Sequence, residues 1–242
     1  MAPASMVGVD GCKAGWIAVS ASRDDYSDPK VHVFSDFRSL VENFEPSRII
    51  AVDMPIGLPD RVGRGGRGPE ALIRPLLGER QSSVFSIPSR AAVYADHYRD
   101  ACGLALETSD PPRKVSKQAF NLFPKIREID GYLSNQGHEG IYEVHPELAF
   151  WQLNCRYPLH TPKKIKGRLN LEGLNERRKL LISSGIGSEF LSRTPPKGAA
   201  ADDFLDACAC LTVAQRIGHS TAKSYPEIPL RDNRGLPIAI WA

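Results

Sequence analysis

Met6-Val7-Gly8-Val9-Asp10-Gly11-Cys12-Lys13-Ala14-Gly15-Trp16-Ile17-Ala18-Val19 is the stretch that decides the fold of this 242-residue chain. It reads as a strand, a tight turn and a second strand, with Gly11 and Gly15 letting the backbone reverse. The first strand closes on a carboxylate. Burying a lone carboxylate is costly unless a cation or hydrogen bonds compensate it. Asp10 is therefore read as the first of several acids gathered around a metal ion, the others coming from elsewhere in the chain.

Working outward, Lys30-Val31-His32-Val33-Phe34 supplies a third strand after a polar turn. Phe37, Leu40, Val41 and Phe44 then recur at helical spacing, with Asp36 placed to cap them. Arg48-Ile49-Ile50-Ala51-Val52-Asp53 is too apolar for an edge strand and is expected to lie centrally, parallel to the first. It too ends on an acid. Parallel neighbours put Asp10 and Asp53 on the same side of the sheet, where open α/β sheets carry their sites.

The middle of the chain is less regular. Arg61, Arg64 and Arg67 sit in a glycine-rich loop expected to be flexible and to hold phosphate. A short helix is expected over 69–77, and longer ones over 90–106 and 116–133, the last with Pro124 expected to kink or divide it. Ile141-Tyr142-Glu143-Val144 reads as a short strand, and Pro146 opens a helix over 147–153. A basic connection (156–168) carries Lys163 and Lys164, followed by a helix over 170–183. The last helix spans Asp202–Ile217, and Leu236–Trp241 is expected to add a final edge strand. The simplest organisation is a single domain over 1–242 with a helical insertion or cap about residues 60–135.

Composition narrows the class. The chain is 42% hydrophobic and 24% charged, which is ordinary for a globular protein. A net charge of +3 suits an anionic substrate without demanding one. Five cysteines without a CxxC pair indicate neither a disulfide framework nor a zinc ribbon. No secretory pattern opens the chain and no apolar run nears the ~18 residues of a membrane span, so a cytoplasmic location is expected. GxGxxG is absent after the first strand, which argues against a dinucleotide enzyme. Ser82 and Ser83 lack the partners of a hydrolytic triad.

The last helix opens Asp202-Asp203-Phe204-Leu205-Asp206. Acids three and four apart lie side by side on a helix and repel by ~0.2–0.5 kcal/mol per pair unless a cation offsets them. Asp202 is expected to cap the helix, leaving Asp203 and Asp206 for the strand ends. His145 and Glu147 are expected to be a packed residue and a first-turn acid.

The words Gly8-Val9-Asp10-Gly11-Cys12-Lys13-Ala14-Gly15-Trp16, Asp53-Met54-Pro55-Ile56-Gly57-Leu58-Pro59, Ser82-Ser83-Val84-Phe85, Lys125-Ile126-Arg127-Glu128-Ile129-Asp130, Glu143-Val144-His145-Pro146-Glu147 and Asp202-Asp203-Phe204-Leu205-Asp206-Ala207 resemble the predicted-nuclease family DUF429. The likeness is collinear over nearly the whole chain. It implies an RNase H-like fold: a mixed five-stranded sheet, three strands antiparallel and then parallel ones, flanked by helices. It also implies a metal site from Asp10, Asp53, Glu143, Asp203 and Asp206, with Asp10 bridging two ions. Carboxylate oxygens suit Mg²⁺ or Mn²⁺. Two such ions about 3.5–4 Å apart would activate a water and neutralise the leaving oxygen of a phosphodiester. Arg61, Arg64, Arg67, Lys117, Lys163 and Lys164 are the candidate contacts to the phosphates of a nucleic acid or nucleotide. Two alternatives remain open: an ATP-dependent phosphotransferase of the actin-like superfamily, and a nucleic-acid-binding module that performs no chemistry.

Overall fold

Strand β1 (Ser5–Cys12) and strand β2 (Gly15–Ser22) form the antiparallel hairpin expected from the opening stretch, with Asp10 opposite Ile17. The computed structural model describes residues 5–242; residues 1–4 of the expected domain lie outside the described residues. Gly15 turns the chain at φ 131°, and a Cβ there would stand 2.2 Å from the Phe34 carbonyl oxygen. Strand β3 (Lys30–Phe34) pairs antiparallel with β2. Strands β4 (Ile49–Val52) and β5 (Ile141–Glu143) extend the other side of β1 in parallel. The order β3-β2-β1-β4-β5 is the mixed five-stranded sheet expected of an RNase H-like plan.

Helix α1 (Phe37–Glu42) starts where expected, its cap Asp36 accepting from the Ser39 amide at 2.8 Å. Between β4 and β5 lie α2 (Pro69–Ile73), a 3₁₀ stretch (Arg74–Ser83), α3 (Arg90–Val93), α4 (Tyr98–Glu107) and α5 (Lys117–Gln136). The helix expected over 90–106 is thus two helices, broken around Tyr94–His97. Pro124 does not divide α5, a single helix of 20 residues. Beyond β5 come α6 (Pro146–Leu153), α7 (Leu171–Ser183), α8 (Ser188–Leu191) and α9 (Ala201–Gly218).

Side chains alternate across a strand, so each strand feeds two cores. Val7, Val9, Ile50, Val52 and Ile141 face α1 and α5. Met6, Ile17, Val19, Ala51 and Val144 face α6, α7 and above all α9. Helix α5, inside the stretch expected to form an insertion or cap, therefore lies on the sheet itself. Helix α9 is buried on almost every side, and Cys208 and Cys210 are both core residues.

The contact between β1 and α9 is close because Gly8 has no side chain. A Cβ there would stand 2.1 Å from both the Ala207 carbonyl oxygen and the Leu211 nitrogen. Gly8→Ala is expected to lower stability by at least about 1–3 kcal/mol, since strand or helix must move bodily. Urea unfolding of the two proteins measures this.

The C-terminal tail departs from expectation. Strand β9 (Pro237–Trp241) joins not the sheet edge but an antiparallel partner, β8 (Ser224–Arg231), and touches the main sheet through a bridge from Trp241 to Val144. Pro226 and Pro229 mask β8 in the sequence, because proline reads against a strand. Asp232, at the hairpin's end, accepts from the Leu58 amide at 2.9 Å and from Arg90 at 2.5 Å. This ties the hairpin to the loop after β4. A further short hairpin, β6 (Lys164–Ile165) with β7 (Arg168–Leu169), interrupts the basic connection.

Candidate functional site

The alternation that builds the two cores also aims the acids. Asp10 shares the parity of Met6 and Gly8, and Asp53 that of Ala51, so both point to the α9 face. Their strands are paired, and the Asp53 amide donates to the Val9 carbonyl at 2.9 Å. Ala207 lies over Gly8, which brings Asp206, the residue before it, to the same end of the sheet. Burial first, then the charges of Asp53 and Asp206, hold the Asp10 carboxyl well above its ordinary range. Burial and Asp206 push Asp53 up to about 8. Asp206 is pushed up to about 6, burial outweighing the relief given by Lys163.

Lys163 is the counter-charge. Its ammonium forms an ion pair with the buried Asp206 carboxylate and lies near Asp10. Burial alone would lower its affinity for a proton, but the two acids raise it, so it stays charged. Lys164 likewise pairs with Asp202 at 2.5 Å. Both lysines thus compensate buried acids. The roles expected of Asp202 and Asp203 are exchanged: Asp202 is buried and ion-paired, while Asp203 caps the helix by accepting from the Ala200 amide at 2.9 Å.

Glu143 is near enough for its charge to add to the push on Asp53, but its carboxylate is held by Arg67. Glu143 has the parity of Ile141 and so faces away from α9. Its carboxylate accepts from Arg67 at 2.5 and 3.0 Å and from the Ile56 amide at 2.7 Å. Arg67, expected in a flexible phosphate-binding loop, is fully buried, also binding Glu70 at 2.7 Å. Arg61 reaches the Glu107 carbonyl, and Lys117 stacks over Tyr98 at 4.1 Å. Glu147 is more than a first-turn acid: it is buried and paired with Arg177 at 2.5 Å. Burial pushes His145 down to about 4, leaving it neutral at physiological pH.

Asp10 and Asp53 open into a cavity of about 230 Å³ that Lys125, Asn121, Glu143 and His145 also line. Lys125 had no role in the sequence reading. From α5 its stem crosses Gly11, its ammonium donates to the Gly15 carbonyl, and it stands 4.3 Å from the Trp16 ring centre. Its sequence signals are its place at the head of the word Lys125–Asp130 and beside the buried stripe of Phe123 and Ile126.

Two hard carboxylates that repel each other across one cavity mouth fit a divalent cation, and a buried Asp206 oxygen without a hydrogen-bond partner could join them. Among the described residues no group of three or more histidine, cysteine, aspartate or glutamate side chains is placed to hold a metal ion, and Asp206 is paired with Lys163.

One consequence concerns pH. With its folded value raised from 3.8 to about 8, Asp53 keeps in the folded protein a proton that the unfolded chain has lost. That contribution to stability is complete below the lower value and disappears as pH rises through the higher one. In chelator, the melting temperature is expected to fall by several degrees across this window. Asp53→Asn, which cannot ionise, should flatten the fall in a thermal-unfolding series.

The geometry defines an α/β protein with an acidic cleft at the carboxyl ends of two parallel strands. The chain belongs to the DUF429 family, described as a protein of unknown function, whose profile matches residues 8–231. No curated protein and no solved structure matches it. No helix among the described residues is long and apolar enough to cross a membrane.

Proposed function

We propose that this chain is a phosphodiesterase acting on nucleic acid or nucleotide with the help of Mg²⁺ or Mn²⁺. The observation that carries the reading is the meeting of Asp10 and Asp53 at one cavity mouth beside the start of α9. Asp10 and Asp53 would hold the cation, with Asp206 the third donor once Lys163 moves. A bound divalent ion supplies an activated water and charge neutralisation at the phosphorus. The protein's own groups do the rest. Lys125, which lines the same cavity, offers an ammonium to a phosphate oxygen. Lys163 keeps the acid cluster from carrying its full negative charge, which would otherwise repel a polyanion. The Arg67–Glu143–Glu70 network fixes the floor. The test is cleavage of single- and double-stranded DNA and RNA with Mn²⁺, comparing the parent chain with Asp10→Asn; unchanged cleavage in the variant would sink the reading.

The ammonium of Lys163 against Asp206 favours a second reading, a nucleic-acid-binding module without turnover. Salt-sensitive binding of the same nucleic acids with no cleavage in any divalent ion would decide for it.

A further inference from the structure

We propose that a second cavity, next to the acidic one, binds a nucleoside monophosphate unit, its phosphate on Arg64, Arg113 and Lys114 and its base against an apolar wall. The word nucleotide rests on the phosphodiesterase reading; the site itself rests on the following geometry.

The cavity measures about 250 Å³. Val62, Ile87 and Val115, all buried, form its apolar wall. Arg64, Arg113 and Lys114 line it, and no carboxylate does. Among the described residues none of these three cations forms an ion pair. Other basic side chains of this chain are spent on structure: Arg67, Arg90, Lys163 and Arg177 all hold buried acids. Here the charges are left over and gathered in one place. Arg113 also lies near Arg74, whose guanidinium is lowered by burial and by that neighbouring charge.

The walls are built. Ser109, itself buried, donates to the Ala105 carbonyl at 2.6 Å and accepts from the Arg113 amide at 2.8 Å, fixing where Arg113 leaves the backbone. Arg74 ties the opposite side together, donating to the Gly65 carbonyl at 2.7 Å and to Ser86 Oγ at 2.8 Å. Val62 and Ser109 form an isolated parallel bridge, the Val62 amide donating to the Thr108 carbonyl and the Asp110 amide to the Val62 carbonyl, each at 3.0 Å. An apolar wall with a cationic rim is the complement of a base bearing a phosphate. Ile87 lines both cavities, so a nucleotide here adjoins the acids of the first. That is where the unit flanking a scissile phosphate would sit.

The experiment is calorimetric titration in chelator with adenosine monophosphate, adenosine and inorganic phosphate as separate probes. The monophosphate is expected to bind the parent and Asp10→Asn alike, because Asp10 is outside this cavity. The double variant Arg113→Gln/Lys114→Gln should weaken it at least about tenfold. Its melting temperature should not change, since both side chains are exposed. Adenosine and phosphate alone should each bind at least about tenfold more weakly than the monophosphate. Absence of monophosphate binding, phosphate binding as tight as the monophosphate, or a double variant that binds normally would each overturn the assignment. None of these outcomes bears on whether Asp10→Asn abolishes cleavage, so the two readings fail separately.

Discussion

Arg67→Ala is expected to lower stability by about 3–5 kcal/mol, the loss typical of breaking a buried ion pair from one side. The Arg67 side chain has no exposure and holds two acids at once, Glu70 at 2.7 Å and Glu143 at 2.5 Å. It also donates to the Ile56 and Gly57 carbonyls at 2.8 and 3.1 Å. Without it, both carboxylates and both carbonyls are left buried and short of donors. Arg67→Lys should recover little, because an ammonium cannot reproduce a planar fork that meets four acceptors. The double variant Arg67→Met/Glu143→Leu should be more stable than Arg67→Met alone, since it removes a stranded charge. Urea unfolding gives all four values. A loss below about 1 kcal/mol for Arg67→Ala would show that these acids find other partners and that the network does not hold the cavity floor.

Asp10→Asn is expected to lower divalent-ion-dependent cleavage at least about a hundredfold while raising the stability of the metal-free protein. The first part follows from losing one of the two charges proposed to hold the cation; removing a single electrostatic group from a catalytic site has effects of this order. The second follows from the structure. Asp10 is pressed against Asp53 and Asp206 in a buried place that disfavours its charge. Asparagine keeps the acceptor that the Gly11 amide reaches at 2.7 Å and removes the repulsion. A variant that melts higher in chelator and cuts worse in Mn²⁺ is the signature of strain kept for function. A merely structural carboxylate would show the reverse: lower stability and unchanged cleavage.

Much of this was legible in the sequence. Apolar runs bounded by glycine and acid located the four strands that place Asp10 and Asp53, and the hydrophobicity of Ile49–Val52 put β4 beside β1. Period-two alternation would also have put Glu143 on the sheet face away from α9, although it lines the same cavity as Asp10 and Asp53. Val144 carries the apolar position on the α9 face, so Glu143 must face the other way. What period and spacing could not show was which charge meets which. Arg67 and Glu143 are 76 residues apart, and Lys163 and Asp206 are 43 apart. Only the folded sheet brings these pairs together. A glycine-rich loop with three arginines looks solvated until one of them is seen to be buried. The exchange between Asp202 and Asp203 is a matter of one helical position, below what capping preferences resolve. Lys125 drew no role for the opposite reason: a lysine beside an apolar stripe usually lies on a solvated face.

The most direct test of the central claim is anomalous scattering from a crystal soaked in Mn²⁺. The account predicts a strong peak at the carboxyl ends of β1 and β4, within coordination distance of both the Asp10 and Asp53 carboxylates. A crystal with no peak there, or with manganese bound only elsewhere on the protein, would contradict it.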